Sequence, residues 1–594
     1  FGLTLDILLD TLRSVYKYSD RMDRKQEANR GVRFVLRTDR LGPLPLVNHF
    51  AARLGIEELL EKHVPTQDRR VRLPYARALG VLLRSLVVER EPIYRQQETV
   101  RTFAPAAYGL TASEVEALAD DRIGRALDRL FDADRAALLT EVVVATARRF
   151  ALRLDQLHND STTIRFCGQY RAARGRRLRG KRAPCITYGY SKDHRPDLKQ
   201  LLFSLTTSAD GGVPVQFRCS DGHTNDSETH IETWEALRAV AGRPDFLYVA
   251  DSKLCTRENM DYIDRRRGRF LTVLPRTRLE DAEFRKAIQT HPPAWEKVWD
   301  RPNPKKKGGV RDRWYVVRAP LPSREAWPVI WVFSTLLALR QEQTRRERIA
   351  AAIDELRDLK TRLARPRSRI RKPSEVDKRI QRILERRRAG RYLKVRRTVR
   401  EEHRFRAMRR GRHGPETPYR KLTRRWPDLE WTLDEDAIAY DRKSDGMYPL
   451  LTNDRSLSPA QVLQAHKGQP TIEKRFEQTK TVHEIAPVFL KNEGRIEALF
   501  TLYFLALLLQ ALIERELRLA MKRHRIPELP LYPEERRCRR PTTEQVLRLF
   551  SHAERHVLLR GGKVVQIFDP PLTVLQREIL TLIGLGERAF RPPL

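Results

Sequence analysis

Five apolar residues, Phe246-Leu-Tyr-Val-Ala250, run without a break into Asp251. An apolar run with no polar alternation reads as a strand covered on both faces, the position of parallel strands in a layered α/β core. A carboxylate at the tip of such a strand is unusual, because acids are depleted in β-forming sequence. The same oddity occurs earlier, where Asp160 lies inside Leu157-His-Asn-Asp-Ser-Thr-Thr-Ile-Arg-Phe166. A carboxylate held against a buried sheet needs a partner, an arginine or a metal in so basic a chain.

The elements around these two acids follow a definite order. Leu46, Phe50, Leu54 and Ile56–Leu60 fall at helical spacing, and a second apolar run covers Ala76–Val88. Residues 44–150 therefore read as a mainly helical domain, open to DNA binding or to plain packing, with no clear helix-turn-helix pattern. From Leu152 the pattern turns to strands: Asp155–Phe166, Cys185–Tyr190 and Leu201–Thr207, then Ala209-Asp-Gly-Gly212 as a tight turn into Val213–Cys219. A helix follows, with Ile231, Trp234, Leu237 and Val240 on one face and Asn225, Asp226 or Ser227 as its cap. Phe246–Ala250, a helix after Thr256 and a strand at Phe270–Leu274 complete the set. Antiparallel strands, then a helix leading into a central strand, is the order of an RNase H-like α/β core.

That core is then interrupted. Trp314–Val317 and Val329–Phe333 read as strands, and Ile349, Ile353, Leu356 and Leu363 mark one face of a long charged helix. Arg365–Pro373 breaks it, and Ser374 is placed to cap a second helix bearing Val376, Ile380 and Ile383. The expected shape is a helical hairpin projecting from the core. Between Arg340 and Arg412 there are 28 Lys/Arg against 10 Asp/Glu, too few acids to pair the bases by i,i+4 contacts. The whole chain carries a formal charge of +39 with 40% hydrophobic residues, the balance of a folded protein with a polyanionic partner. Strands are expected again at Trp431–Leu433, Ala437–Tyr440 and Tyr448–Leu451. Ser458-Pro459 opens a helix, and Thr471 is placed to cap the next, which carries Glu473. Past Arg525 the chain is Pro-rich, with a short helix near Glu544–Phe550.

Five scattered cysteines, with no Cys-x-x-Cys pair, argue against a disulfide framework and a zinc ribbon and fit a reducing cytoplasm. Asp6 and Asp10 interrupt the first apolar run, so it does not read as a signal peptide. Ala498–Ile513 falls short of ~20 apolar residues and reads as a buried core helix, so no membrane partner is expected.

Two strand aspartates and a helical glutamate form the ligand set for paired Mg²⁺ ions in phosphodiester chemistry, with Mn²⁺ tolerated by the same donors. Asp160, Asp251 and Glu473 are the candidate ligands, and Asp155 and Glu477 are local competitors that spacing does not exclude. Asp160 as an Asx-turn residue and Glu473 as an ordinary first-turn glutamate are the bland alternatives.

At this point the chain resembles the DDE transposases of bacterial insertion sequences, in the branch whose core is split before the glutamate. The residues that carry the resemblance are Asn159-Asp160-Ser-Thr-Thr163, Gly189-Tyr-Ser-Lys-Asp-His-Arg-Pro-Asp-Leu-Lys199, Gly222-His-Thr-Asn225, Val249-Ala-Asp-Ser-Lys253 and Ile472-Glu473 with Lys480. The resemblance implies a catalytic set of Asp160, Asp251, Glu473 and Lys480. The tyrosine and arginine of the family's glutamate motif fall on His466 and Gln469, which do not match, and Arg475 is the conjectured substitute. It further implies cutting of double-stranded DNA at inverted-repeat ends and joining to target DNA, by a homodimer or larger assembly acting in the cytoplasm on the nucleoid. In relatives with an inserted domain that domain grips the element end and holds a flipped base on an aromatic ring, for which Trp431 and Trp426 are the candidates here. The expected division is an N-terminal extension over 1–43, the helical domain over 44–150, core over 151–280, basic insertion over 281–445, core again over 446–525 and a tail over 526–594. A repair or defence nuclease with the same core, or a domesticated end-binding protein that no longer cuts, are the alternatives.

Overall fold

The computed structural model describes residues 34–591, apart from 69, 303–310, 366–367, 369, 371, 479, 481–489 and 533. The expected extension over 1–43 therefore lies largely outside the described residues, as does the run around Asp6 and Asp10. Strand β1 (Phe34–Arg40) opens the described chain. Helices α1 (Leu44–Leu54), α2 (Ile56–His63), α3 (Tyr75–Val88), α4 (Asp120–Asp132) and α5 (Arg135–Arg149) follow and give the mainly helical N-terminal region. Their apolar faces meet in one core through residues such as Phe50, Leu79, Leu82, Leu127 and Phe131.

The catalytic-type core starts with β2 (Gln156–Phe166), β3 (Lys199–Ser208) and β4 (Pro214–Ser220), a three-stranded antiparallel meander. Helix α6 (His230–Ala241) then crosses to β5 (Leu247–Val249), which runs parallel to β2. Helix α7 (Arg257–Arg265) returns the chain to β6 (Arg269–Val273), parallel to β5. The order β4-β3-β2-β5-β6 is that of an RNase H-like sheet. The parallel crossovers need a helix each, because a parallel neighbour cannot be reached by a tight turn. Asn225 settles the choice of cap: it caps a 3-10 turn, Asp226–Thr229, that leads into α6. Cys185–Tyr190 does not form the expected strand. It makes isolated bridges, Arg174 to Cys185 and Thr187 to Gln200, and is otherwise loop.

The sheet does not end at β6. After α8 (Leu279–Ala287), strands β7 (Glu296–Pro302), β8 (Arg311–Arg318) and β9 (Val329–Ser334) extend it, and the full order is β4-β3-β2-β5-β6-β12-β9-β8-β7, where β12 is Met447–Thr452. The expected insertion over 281–445 thus divides: its first strands belong to the core sheet. The rest is built on α9 (Thr335–Ala364), α10 (Pro373–Arg387), β10 (Leu393–Ala407), β11 (Tyr419–Leu433) and α11 (Glu435–Lys443). This body has its own apolar cluster, which includes Ala352, Leu356, Leu363, Val376, Leu393 and Leu429. Ser334 is at once the last residue of β9 and the cap of α9, so the helix grows from the sheet without a linker.

Three local expectations change here. Pro373, not Ser374, opens α10, because a proline at the first helical position lacks only an N–H that would go unpaired anyway. Ala437–Tyr440 is helical, since Asp434 accepts from the Ala437 N–H at 3.1 Å and starts a helix there. Trp431–Leu433 is the end of a strand of 15 residues, paired with β10 from Leu393 opposite Leu433 out to Ala407 opposite Tyr419. Near the base this ribbon buries Leu393 and Leu429, while Phe405 and Tyr419 near its tip are exposed. Arg400, Arg404, Arg406, Arg420 and Arg424 share one of its faces by cross-strand register.

Helices α12 (Pro459–His466) and α13 (Pro470–Glu477) lead to α14 (Glu493–Arg523). Ala498–Ile513 lies within α14, which is buried between the sheet and the N-terminal helices, as read from sequence. Phe504 stacks on Phe217 of β4 with ring centres 5.2 Å apart, and Phe500 meets Phe203 of β3 at 5.8 Å. Helix α15 (Thr543–Leu549) is capped by Thr542 and precedes a hairpin, β13 (Glu554–Arg560) and β14 (Lys563–Phe568). Strand β1 pairs with β13 along its whole length, Phe34 opposite Arg560 and Arg40 opposite Glu554.

Candidate active site

Register brings the two strand aspartates together. His158 of β2 lies opposite Val249 of β5, and these strands are parallel. Asp160 and Asp251 each lie two residues further on, so both stand at the same edge of the sheet, beyond the carboxyl end of β5. In open α/β sheets that edge is where ligands are bound. Burial pushes the Asp160 carboxyl up to about 6; the Lys192 ammonium and the Ser161 N–H oppose this, and the charges of Asp251 and Asp226 add to it. Asp251 is likewise raised by burial, with the Lys253 N–H and Lys192 pulling it down and Asp226 pushing it up. Each has a backbone donor: Ser161 N–H to Asp160 at 2.7 Å and Lys253 N–H to Asp251 at 2.9 Å. Thr272 of β6 donates to the Asp251 carbonyl at 2.6 Å and fixes the strand end.

Asp226 and Lys192 complete this edge; sequence pattern offers Asp226 only as a helix-cap candidate and gives Lys192 no role. The Lys192 ammonium lies 2.6 Å from the Asp226 carboxylate, 2.8 Å from the Ser161 carbonyl and 2.7 Å from the Ser161 hydroxyl. Both residues sit in or beside stretches that carry the family resemblance, Gly189–Lys199 and Gly222–Asn225. The glycines of those stretches have a physical reason. A Cβ on Gly189 would collide with the Gly222 carbonyl, and one on Gly222 with the Gln200 carbonyl, so three backbone segments pass in direct contact. We expect Gly189→Ala to cost about 1–3 kcal/mol by overpacking, read as a lower denaturant midpoint. An unchanged midpoint would mean that the two backbones do not pass so closely.

Helix α13, which carries Glu473, packs against β2 and β3. Gln469, just before α13, donates to the Asn159 carbonyl at 2.9 Å and its side-chain oxygen lies 3.2 Å from His158 Nδ1. Gly468 allows that approach, since a Cβ there would press within 2.6 Å of the His158 ring. The side chain at 469, where the resembled family has arginine, therefore docks the helix on β2 beside Asp160. His466 packs against Tyr448 with ring centres 5.6 Å apart, and burial lowers its pKa to about 4. Thr471 does not cap α13: Pro470 is its first residue, and Gln469 precedes it in helical conformation without a side-chain cap bond. Glu473 lies one turn beyond Gln469 and is exposed. Lys480 pairs with both carboxylate oxygens of Asp193, at 2.9 and 3.0 Å. Asp193 also meets Arg165 at 3.4 Å.

Arg475 is not available to a phosphate. It is buried, donates to the carbonyls of Gly212 at 2.9 Å and Gly211 at 3.3 Å, and pairs with buried Glu514 at 3.1 Å. Asp155 is exposed and paired with Arg243, and Glu477 is exposed. Trp431 packs against the core of the inserted body, and Trp426 is half-buried with the Arg424 guanidinium 5.4 Å from its ring centre.

The donors at the sheet edge are hard carboxylate oxygens of the kind a divalent cation takes: Asp160 and Asp251, both raised by burial with the Asp226 charge adding, beside the Lys192 ammonium. Among the described residues no group of three or more His, Cys, Asp or Glu side chains meets metal-binding geometry, so neither Asp160, Asp251 and Glu473 nor Asp160, Asp226 and Asp251 are drawn together as one ligand set.

Residues 36–144 match the family described as "Domain of unknown function (DUF4277)". No curated protein matches the chain. Among solved structures the chain is similar to piggyBac transposase in its synaptic complex with hairpin DNA, at 11% identity and a TM-score of 0.24 over 49% of this chain. The match spans 60% of that transposase, a likeness too slight to carry a conclusion about fold or function.

Proposed function

We propose that this chain is a DNA-cutting and DNA-joining enzyme of the DDE transposase type, acting at the inverted-repeat ends of a bacterial insertion sequence. The observation that carries the reading is the shared register of Asp160 and Asp251 at one edge of an RNase H-like sheet. Asp160, Asp251 and Glu473 would hold Mg²⁺, or Mn²⁺ in its place. Paired ions bound there would activate the attacking oxygen and stabilise the leaving one in an in-line displacement at phosphorus. The chain's own part is placement: Gln469 seats α13 against β2, and in this reading Glu473 joins the two aspartates when metal and DNA bind. In this reading the enzyme works in the cytoplasm on nucleoid DNA, as a homodimer or larger assembly that pairs two ends. The test is nicking of end-containing duplex with Mg²⁺; no cleavage by the wild-type chain in either metal would overturn it.

Lys480 lies two turns beyond Glu473 and carries a cation suited to a phosphate. We expect Lys480→Ala to slow strand cleavage while leaving metal affinity near wild type. Loss of metal binding in that variant would overturn the assignment.

The basic inserted body is the reason to name duplex DNA as the partner. Its ribbon is largely exposed, with Arg396 and the five arginines named above on one face and Arg409, Arg410 and Arg412 at its tip. A two-stranded ribbon is narrow enough to enter a major groove. Replacing residues 399–427 by Asn-Gly shortens the ribbon at a cross-strand pair. The slope of log affinity against log salt should then become shallower by about 0.9 for each phosphate that the ribbon neutralises. Equal slopes for the two proteins would show that the ribbon touches no phosphate.

A further inference from the structure

The stretch Gly189–Lys199 takes no part in strand cutting as proposed, yet it is firmly fixed. Gly189 is packed against the Gly222 backbone, the Gln200 amide donates to the Tyr190 carbonyl at 3.1 Å, and Asp193 is held by Lys480 and Arg165. The residue this rigid loop delivers to the sheet edge is Lys192. Its ammonium is tied to Ser161, the neighbour of Asp160, and to Asp226. Its charge acts on Asp160 and Asp251 as well. Lys192 is mostly buried, unlike a solvated surface lysine that pairs in passing.

We propose that Lys192 is a positioning residue, the resident counter-cation of the Asp160, Asp226 and Asp251 carboxylates, and that a divalent ion must displace its charge to bind. The proposal rests on the metal-dependent reading above and adds a residue to it. The Asp226 charge disfavours the ionised forms of Asp160 and Asp251, and the Lys192 ammonium, 2.6 Å from Asp226 and bonded to Ser161, offsets it. The same ammonium repels an incoming divalent ion. Lys192 therefore trades metal affinity for stability of the empty site, and the neighbouring Asp193 ties the same loop to Lys480, beyond the helix that carries Glu473.

The experiment measures Mn²⁺ binding to the full chain by electron paramagnetic resonance, with thermal unfolding in EDTA and in Mn²⁺. The variants are Lys192→Gln, Lys192→Ala, Lys192→Arg and Asp160→Asn. Removing the charge with glutamine or alanine should tighten Mn²⁺ binding about tenfold, the effect of taking one like charge from a partly solvated site. Both variants should melt lower than wild type in EDTA and gain more from Mn²⁺ than wild type does. Arginine, which keeps the charge, should resemble wild type in affinity. If glutamine and alanine bind Mn²⁺ as wild type does or more weakly, while Asp160→Asn binds none, the Lys192 role is overturned and the metal site stands. If wild type binds no Mn²⁺, or Asp160→Asn binds it equally well, the metal-dependent reading fails and this proposal fails with it.

Discussion

Alanine at Asp160, Asp251 or Glu473 is expected to abolish Mg²⁺-dependent nicking of end-containing DNA, a loss of at least about a thousandfold for each single change. In the proposed mechanism the three acids hold the same ions, so each single replacement should be as damaging as the triple one, the strong non-additivity of residues that work as a unit. DNA binding should survive, and it should tighten slightly where a carboxylate leaves a basic surface. Asp155 and Glu477 are the internal controls. Asp155 directly precedes β2 and is paired with Arg243 at the surface, and Glu477 is one turn past Glu473 on the same helix. Neither should matter to cleavage. The assay is run on all five single variants; a dead Asp155→Ala or Glu477→Ala beside an active Asp160→Ala or Glu473→Ala would show that the triad is wrongly assigned. Glu473 carries the most weight, because register already makes Asp160 and Asp251 neighbours while no such pairing fixes Glu473.

The second large effect concerns stability. Arg475 and Glu514 form an ion pair with both side chains almost wholly out of solvent, and Glu514 also accepts from the Thr543 N–H at 3.1 Å and from Arg518 at 3.3 Å. Through Arg475 this pair holds the turn at Gly211 and Gly212, both of which have positive φ, and so joins α13, α14 and the β3–β4 turn. Breaking such a pair leaves a buried charge without its partner, so Glu514→Ala should cost about 3–5 kcal/mol. Arg475→Met with Glu514→Leu removes both charges and should recover most of that loss, since a buried pair exchanged for apolar side chains is often neutral. Denaturant unfolding of the two single variants and the double variant decides this; a double variant as unstable as the sum of the singles would contradict it. Burial alone would raise the Glu514 carboxyl, but the charges of Arg475, Arg518 and Lys474 hold it below its ordinary value of 4.5. A lowered carboxyl gives stability that is present above its unfolded value and lost as pH falls through the folded one. Acid should therefore weaken wild type below about pH 4.5 in a way that the double variant partly escapes.

The sheet and its two aspartates are legible because apolar runs, the Gly-Gly turn and helical spacing all point the same way around Asp160 and Asp251. What the residues do not supply is register, and register is what makes Asp160 and Asp251 neighbours. The long ribbon is invisible past Trp431 because both of its faces are charged, as at Arg404 and Glu402 or Arg425 and Glu401, so no period-two alternation survives. Ala437–Tyr440 misleads for the opposite reason: a short apolar run suits a strand or a helix, and the Asp434 cap decides between them. Val329–Phe333 reads as a strand, yet nothing local says which sheet it joins. Arg475 looks like a phosphate ligand because a basic residue beside a catalytic-type glutamate invites that role. Its burial against Glu514, thirty-nine residues away, is a property of the packed chain.

The pairing of β1 with β13, and the seating of α14 over α3 and α4, have a consequence for synthesis of the chain. The helices of residues 44–149 leave the ribosome early, but the helix that covers them ends at Arg523 and the strand that pairs with β1 begins at Glu554. At ~5–20 residues per second, roughly 400 residues of delay leave those apolar faces waiting for ~20–80 s. These helices are therefore made well before the segments that cover them. The nascent chain should be a strong client for chaperones, and the yield of native protein should respond more to the rate of elongation than to the stability of the finished fold.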